Sequence, residues 1–149
     1  MIWNPHVTVA AIIEQDEKYL LVEERIEGKI VLNQPAGHLD DQESLIEAVV
    51  REVLEETAWH FQPEGVINLS LWRHPENNKT FLRTGFCGTL LEFAPERKLD
   101  DEIIRTLWLS HDEILANRER LRSPLVLESI NDYLAGRRFP LSLLKTVTG

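Results

Sequence analysis

Cysteine is almost missing from this chain of 149 residues: Cys87 stands alone, so it has no partner for an intrachain disulfide or a thiolate zinc site. Positive charge is scarce as well. Sixteen Lys and Arg against 25 Asp and Glu leave a formal charge of -9, the wrong sign for following a nucleic-acid polymer or an anionic membrane surface. No apolar run approaches the roughly 18 residues of a membrane span. The opening Met-Ile-Trp-Asn-Pro-His has neither the basic region nor the apolar stretch of a secretory leader, so a cytoplasmic protein is expected. Gly and Pro, seven of each, are too few for a collagen-like or low-complexity chain, and there is no internal repeat. What remains is an ordinary globular composition, 43% hydrophobic, so residues 1–149 are expected to form one domain held together by packing.

Along the chain, Val7 to Glu14 reads as a buried strand, Gln15 to Lys18 as a turn, and Tyr19 to Glu24 as a second strand. Gly28 marks a turn before a short strand at Lys29 to Asn33, and residues 34 to 42 read as a long loop. Ser44 with Glu47 forms a capping box, which predicts a helix to about Thr57. Pro63 and Gly65 separate that helix from strands at Val66 to Trp72 and Thr80 to Leu91, with Ile103 to Leu109 as a further strand. A second capping box, Ser110 with Glu113, opens a helix to about Leu121, and Ser123-Pro124 opens a third that stops before Gly136. The economical arrangement is an α+β fold, a mixed sheet with helices on both faces.

The first helix carries an unusual charge pattern. Ile46, Val49, Val50, Val53 and Leu54 form one apolar arc, and Glu47, Arg51 and Glu55 point away from it. Glu52 and Glu56, four residues apart, sit instead on the border of that arc, with Glu55 completing a patch of three carboxylates. Most such patches are solvated helix faces. Here, like charges at i,i+4 repel by a few tenths of a kcal/mol unless a cation bridges them. Gly37, in the loop before the helix, leaves room for a backbone carbonyl to approach the same cation.

Gly37, Glu43, Arg51-Glu52-Val53, Glu55-Glu56 and Trp59 resemble the Nudix box, G-x(5)-E-x(7)-R-E-U-x-E-E-x-G-U with U a bulky apolar residue. A match from Gly37 to Glu56 has chance odds on the order of one in a million in a chain of this size. One specified position departs: Ala58 stands where the pattern has glycine, just past the helix, where a left-handed cap favours glycine. The phrases Asn33-Gln34-Pro35-Ala36-Gly37-His38 and Leu121-Arg122-Ser123-Pro124-Leu125-Val126 are similar to those of the NudJ-type bacterial phosphatases of that superfamily.

The resemblance implies an α/β/α sandwich that hydrolyses small organic pyrophosphates with Mg²⁺, or Mn²⁺ in its place. It assigns Glu52, Glu55 and Glu56 to metal binding and catalysis, with Glu52 the first choice of general base. The Gly37 carbonyl joins the metal ligands, and Glu43 with Arg51 braces the loop against the helix. The NudJ-type likeness further implies release of orthophosphate from nucleoside tri- and diphosphates, with hydroxymethylpyrimidine or thiamine pyrophosphate also accepted. The alternatives are a pyrophosphatase acting on ADP-ribose or another nucleoside diphosphate derivative, an isomerase of related scaffold, and a non-catalytic sensor. The last two are disfavoured by the intact glutamates.

Other residues keep two readings each. Glu102, in Asp100-Asp101-Glu102, is a further metal ligand or part of a solvated turn. Arg83 is a phosphate contact or a strand-edge charge, and Arg122 a site or a surface residue. Trp72 and Phe81 stack on a substrate ring or fill the core. His38 is a substrate contact or a hydrogen-bonded bystander. Cys87 is most simply a buried small residue. The expected partner is a small phosphorylated molecule, neither a nucleic-acid polymer nor a membrane.

Overall fold

The computed structural model describes residues 2–149. Its first sheet is mixed. Strand β1 (His6–Ile12) lies parallel to β7 (Thr80–Phe93), while β5 (Ala36–His38) and β6 (Trp59–Arg73) flank that pair antiparallel, giving the order β5-β1-β7-β6. In the second sheet β3 (Lys18–Ile26) is central, paired with β2 (Glu14–Gln15), β4 (Lys29–Asn33) and β8 (Ile103–Ser110). Both hairpins of this sheet turn on two residues with positive φ, Asp16-Glu17 and Glu27-Gly28. Those are the angles a two-residue hairpin needs to match strand twist.

Strand alternation sends the first sheet's side chains to two cores. Val9, Ala11, Ile13 and Phe86 pack with Ala48, Val49 and Val53 of helix α1 (Leu45–Thr57). Ile12 and Cys87 point the other way. They meet Tyr19 and Leu21 of β3, Ile114 of α2 (His111–Ala116), and Val126 and Ile130 of α3 (Leu125–Leu134). Helices therefore cover both faces, as the sequence predicts, and Cys87 is buried. No helix among the described residues is long and apolar enough to cross a membrane.

Both capping boxes form, Ser44 with Glu47 and Ser110 with Glu113. Three boundaries differ from expectation. The loop at 34 to 42 contains β5, because its backbone pairs with the free edge of β1. Pro63 and Gly65 do not precede β6 but sit within it, at a register shift where a bulge tolerates the missing proline N–H. The helix opened by Ser110 ends at Ala116, and a 3₁₀ turn over Arg118–Arg120 replaces its last turn.

Candidate active site

Helix α1 presents its acidic residues where burial acts on them. Glu52 and Glu56 are 8% and 5% exposed, and Glu55 is half-buried. Loss of water pushes the Glu52 carboxyl up to about 7, with Glu55 and Asp100 adding to the rise and Arg51 opposing it. Burial drives Glu56 further, to about 9, although the Ala36 N–H donates to its Oε1 at 2.9 Å. Carboxylic acids held this far from their ordinary range by loss of water mark a candidate functional site.

Two loops bring further groups to the helix. A Cβ placed on Gly37 would collide with the Glu52 carboxyl group, so this backbone approach requires glycine for space rather than for φ. Arg51 ties the loop after β5 down. Its Nε and Nη2 bind Glu43 at 3.0 and 2.6 Å, Nη2 also reaches the His38 carbonyl at 2.9 Å, and Nη1 bonds Glu52 and Glu55, each at 2.8 Å. From the other side, the Asp100 N–H donates to the Glu55 carbonyl at 3.1 Å, anchoring the segment before β8 on the helix. Carboxylate oxygens of Glu52, Glu55 and Asp100 consequently lie within 4.8 Å of one another. Hard divalent cations prefer such an oxygen donor set.

Of the two readings of Glu102, its place in the structure favours the solvated turn. Its side chain is exposed and outside this group, because its own carbonyl is fixed to the Arg25 N–H of β3 at 2.8 Å; Asp100, two residues earlier, takes the place beside the helix. The acidic triplet in the sequence was the available signal. Only the anchoring of the loop selects among its members.

A basic and aromatic region completes the site. Arg83 of β7 is 5% exposed and opposite Thr8 and Ser70 in the sheet. Its Nη2 makes a long 3.5 Å contact with Asn33 Oδ1, and among the described residues its Nη1 has no hydrogen-bond partner. Burial, aided by the neighbouring Arg122 charge, pushes this guanidinium down to about 10. Arg122 donates from Nη1 to the buried Glu24 at 2.9 Å, and Asn33 Nδ2 approaches the same oxygen at 3.3 Å. Glu24 was not singled out from sequence and Asn33 only as part of a phrase: an acid and an amide in strands carry no signal of their own until their neighbours are known.

Phe81 and Trp72 are not core. Both are half-buried, and their rings stack with centroids 5.7 Å apart. Phe81 also stacks on His6 at 5.0 Å, and His6 Nδ1 lies 3.0 Å from His38 Nε2. Burial and the His6 and Arg122 charges lower the His38 pKa. The geometry joins Gly37, Glu43, Arg51, Glu52 and Glu55 around one centre with Asp100, and sets His38, Phe81 and Trp72 in one aromatic row.

A sequence model of the NUDIX domain matches residues 4–129. The chain belongs to the Nudix family. It is 44% identical over 142 residues to the Phosphatase NudJ of Escherichia coli (strain K12), covering 95% of this chain and 92% of that protein. A NUDIX hydrolase from Nitrosomonas europaea is 52% identical, with a TM-score of 0.95 over 97% of this chain and 98% of its own. A UDP-X diphosphatase, 22% identical with a TM-score of 0.75 over 94% of this chain and 68% of that one, shares the fold. This chain is a Nudix hydrolase of α+β architecture.

Proposed function

We propose that this Nudix hydrolase cleaves small organic pyrophosphates in a Mg²⁺-dependent reaction, releasing orthophosphate from nucleoside tri- and diphosphates and from hydroxymethylpyrimidine or thiamine pyrophosphate. The observation that carries the reading is the joint approach of Glu52, Glu55 and Asp100 beside Gly37. The likeness to a protein named a phosphatase supports orthophosphate as the product.

Acids raised chiefly by burial and further by their carboxylate neighbours, with a glycine backbone pressed against one of them, fit a divalent metal. Glu52, Glu55, Glu56, Asp100 and the Gly37 carbonyl would hold it. When bound, the metal neutralises phosphoryl oxygens and activates the attacking water. The chain's own residues do the remainder. Glu52 accepts the water proton as the general base, and Arg51 holds Glu52 and Glu55 in place through its two 2.8 Å bonds. Arg83 receives a phosphoryl oxygen on its unpartnered Nη1. His38, Phe81 and Trp72 border the organic part.

Product analysis tests the reading. A nucleoside triphosphate with Mg²⁺ should give orthophosphate, and excess chelator should stop the reaction. Pyrophosphate with a nucleoside monophosphate, or cleavage restricted to ADP-ribose and dinucleotides, overturns the product assignment. Full activity in chelator overturns the metal requirement.

A further inference from the structure

After α3 the chain crosses the free edge of β6 and ends beside the loop that carries Glu43. Phe139 pairs with that edge: its N–H donates to the Val66 carbonyl and its carbonyl accepts the Val66 N–H, both at 2.8 Å. Arg137 fixes the approach, with Nε on the Ile67 carbonyl at 3.3 Å and the guanidinium over the Phe139 ring. After Pro140 a 3₁₀ turn spans Leu141–Leu143. Side chains three apart eclipse in such a turn, so Leu141 and Leu144 fall on one side and pack on the core beneath α1, while Leu143 is exposed. Leu39 at the start of the Glu43 loop, and Leu45 and Ile46 at its end, pack on the same core. An open cavity of about 420 Å³ lies between, with Leu39, Glu43 and Ile46 on one wall and Leu144, Lys145 and Val147 on the other.

The middle of this loop is weakly held by its own bonds. At one end the Leu39 N–H donates to the Val7 carbonyl at 3.0 Å, and the Ser44 capping box secures the other. Between them Asp40, Asp41 and Gln42 are exposed and Gln42 sits at φ 67°. The backbone bond across the turn, from the Glu43 N–H to the Asp40 carbonyl, is a long 3.4 Å. Glu43 must nevertheless be placed well, because its Oε1 accepts both the Asp40 N–H at 2.8 Å and Arg51 Nη2 at 2.6 Å. Arg51 in turn holds Glu52 and Glu55. Support from outside the loop therefore reaches the acids through packing, then Glu43, then Arg51.

We infer that residues 141–147 form a positioning strap for the metal centre, with Leu141 and Leu144 as the positioning residues that hold the Glu43 loop against the helix. This rests on the metal-dependent hydrolase reading and adds what fixes the geometry of its acids. Neither leucine belongs to the reacting centre; both act through Glu43 and Arg51. The strap follows the pairing of Phe139 with Val66 and is separate from it, so it can loosen without opening the β6 edge. Loosening it frees the loop, lets Glu52 and Glu55 spread, and weakens the metal while the sheets stay folded.

The test follows the loop and the metal separately in the full chain. In metal-free protein, hydrogen exchange at the Asp40 and Glu43 N–H groups should be faster in the double variant Leu141→Ala, Leu144→Ala than in the wild type. The Ala11 N–H, bonded to the Pro35 carbonyl at 2.9 Å, should exchange as before. Mn²⁺ binding, read by electron paramagnetic resonance, should weaken by about 10-fold, the lower end of the effect of removing a partner of a metal ligand. Half-maximal phosphate release should need correspondingly more metal, with kcat at saturating metal near that of the wild type. Leu144→Ala alone, which keeps the comparison should the double variant not fold, should act in the same direction, and Leu144→Met, which refills the space, should behave as the wild type. Ile130→Ala, in the opposite core, is the purely structural comparison: it should lower Tm and leave Mn²⁺ affinity alone. Unchanged Mn²⁺ affinity in the alanine variants, or equal weakening in Ile130→Ala, overturns the strap. If loop exchange and Mn²⁺ binding change as expected but no pyrophosphate is cleaved, the strap stands and the hydrolytic reading falls; a wild type that binds no Mn²⁺ overturns both.

Discussion

Arg83→Met should make the ligand-free protein more stable. The guanidinium is 5% exposed, its Nη1 has no partner among the described residues, and burial pushes its pKa down to about 10, more than two units below the ordinary range. At 1.36 kcal/mol per unit, keeping it charged opposes folding by roughly 3 kcal/mol. Against this stands one long contact. Asn33 Oδ1 also accepts the Gln34 N–H at 2.9 Å, so it is not orphaned when Arg83 Nη2 is removed. Met is unbranched and fills much of the space of the arginine stem. After about 1 kcal/mol for the lost bond and imperfect packing, a net gain of about 1–2 kcal/mol remains, or about 2–4 °C in Tm for each kcal/mol.

The sign of the pH dependence follows from the direction of the shift. A base whose folded pKa is lowered opposes folding wherever it is charged, and that penalty fades only as pH rises through about 10. The Tm difference between variant and wild type should therefore be flat between about pH 6 and 8. Adding inorganic pyrophosphate should raise the wild-type Tm and move the variant much less, since a ligand stabilises only the form that binds it. Calorimetric melts of both proteins, with and without pyrophosphate, supply all four numbers. A lower Tm for Arg83→Met would refute the reasoning, showing that the guanidinium is satisfied within the free protein.

The other expectations concern α1. Glu55→Gln and Glu56→Gln should each lower turnover by orders of magnitude in a phosphate-release assay; in chelator at neutral pH Glu55→Gln should melt near the wild-type temperature and Glu56→Gln above it. Metal-free protein should lose stability as pH rises from about 4.5 towards about 9, because Glu52 and Glu56 hold protons in the folded state that the unfolded chain has released; Glu56→Gln should flatten that slope in pH-dependent melts. Ala58 caps the helix with φ 63°, the left-handed conformation that the glycine of the family pattern suits. Its methyl group, however, is buried at 3% exposure. Relief of roughly 1 kcal/mol of strain in Ala58→Gly is then offset by about 0.8 kcal/mol of lost burial, so the Tm should stay within a degree or two of the wild type.

What could be read from the sequence was whatever neighbouring residues decide among themselves. A capping box needs three residues of separation, and both formed. The border position of Glu52 and Glu56 follows from 100° per residue, and both are buried. Gly37 against Glu52 and Arg51 against Glu43 came from the likeness to the Nudix box, and the distances place those groups together. The choice of Asp100 over Glu102 was out of reach, since it depends on a bond from the loop to the Glu55 carbonyl. Glu24 and Arg122 meet across 98 residues of chain; Arg122 was noticed through its phrase, but nothing local marks Glu24 as its partner. Pro63 and Gly65 misled because they are ordinary chain breakers. Inside a long edge strand the same chemistry makes a bulge instead.

The two halves of the site are unsatisfied in opposite senses. On α1, burial without a compensating cation pushes the Glu56 carboxyl up; on β7, burial without a compensating anion pushes the Arg83 guanidinium down. They do not cancel each other: Glu24 pairs with Arg122 rather than Arg83, and Arg51 is committed to Glu43, Glu52 and Glu55. A free metal would answer only the acids, and a free phosphate only the arginine. The proposed ligand, a phosphoryl chain carrying its divalent cation, answers both at once. Binding should therefore be cooperative. Pyrophosphate affinity should rise with Mg²⁺ in the wild type, and Arg83→Met should remove much of that gain while leaving weak metal binding intact. Equal metal enhancement in the two proteins, measured by titration calorimetry, would show that the acids and Arg83 serve separate ligands.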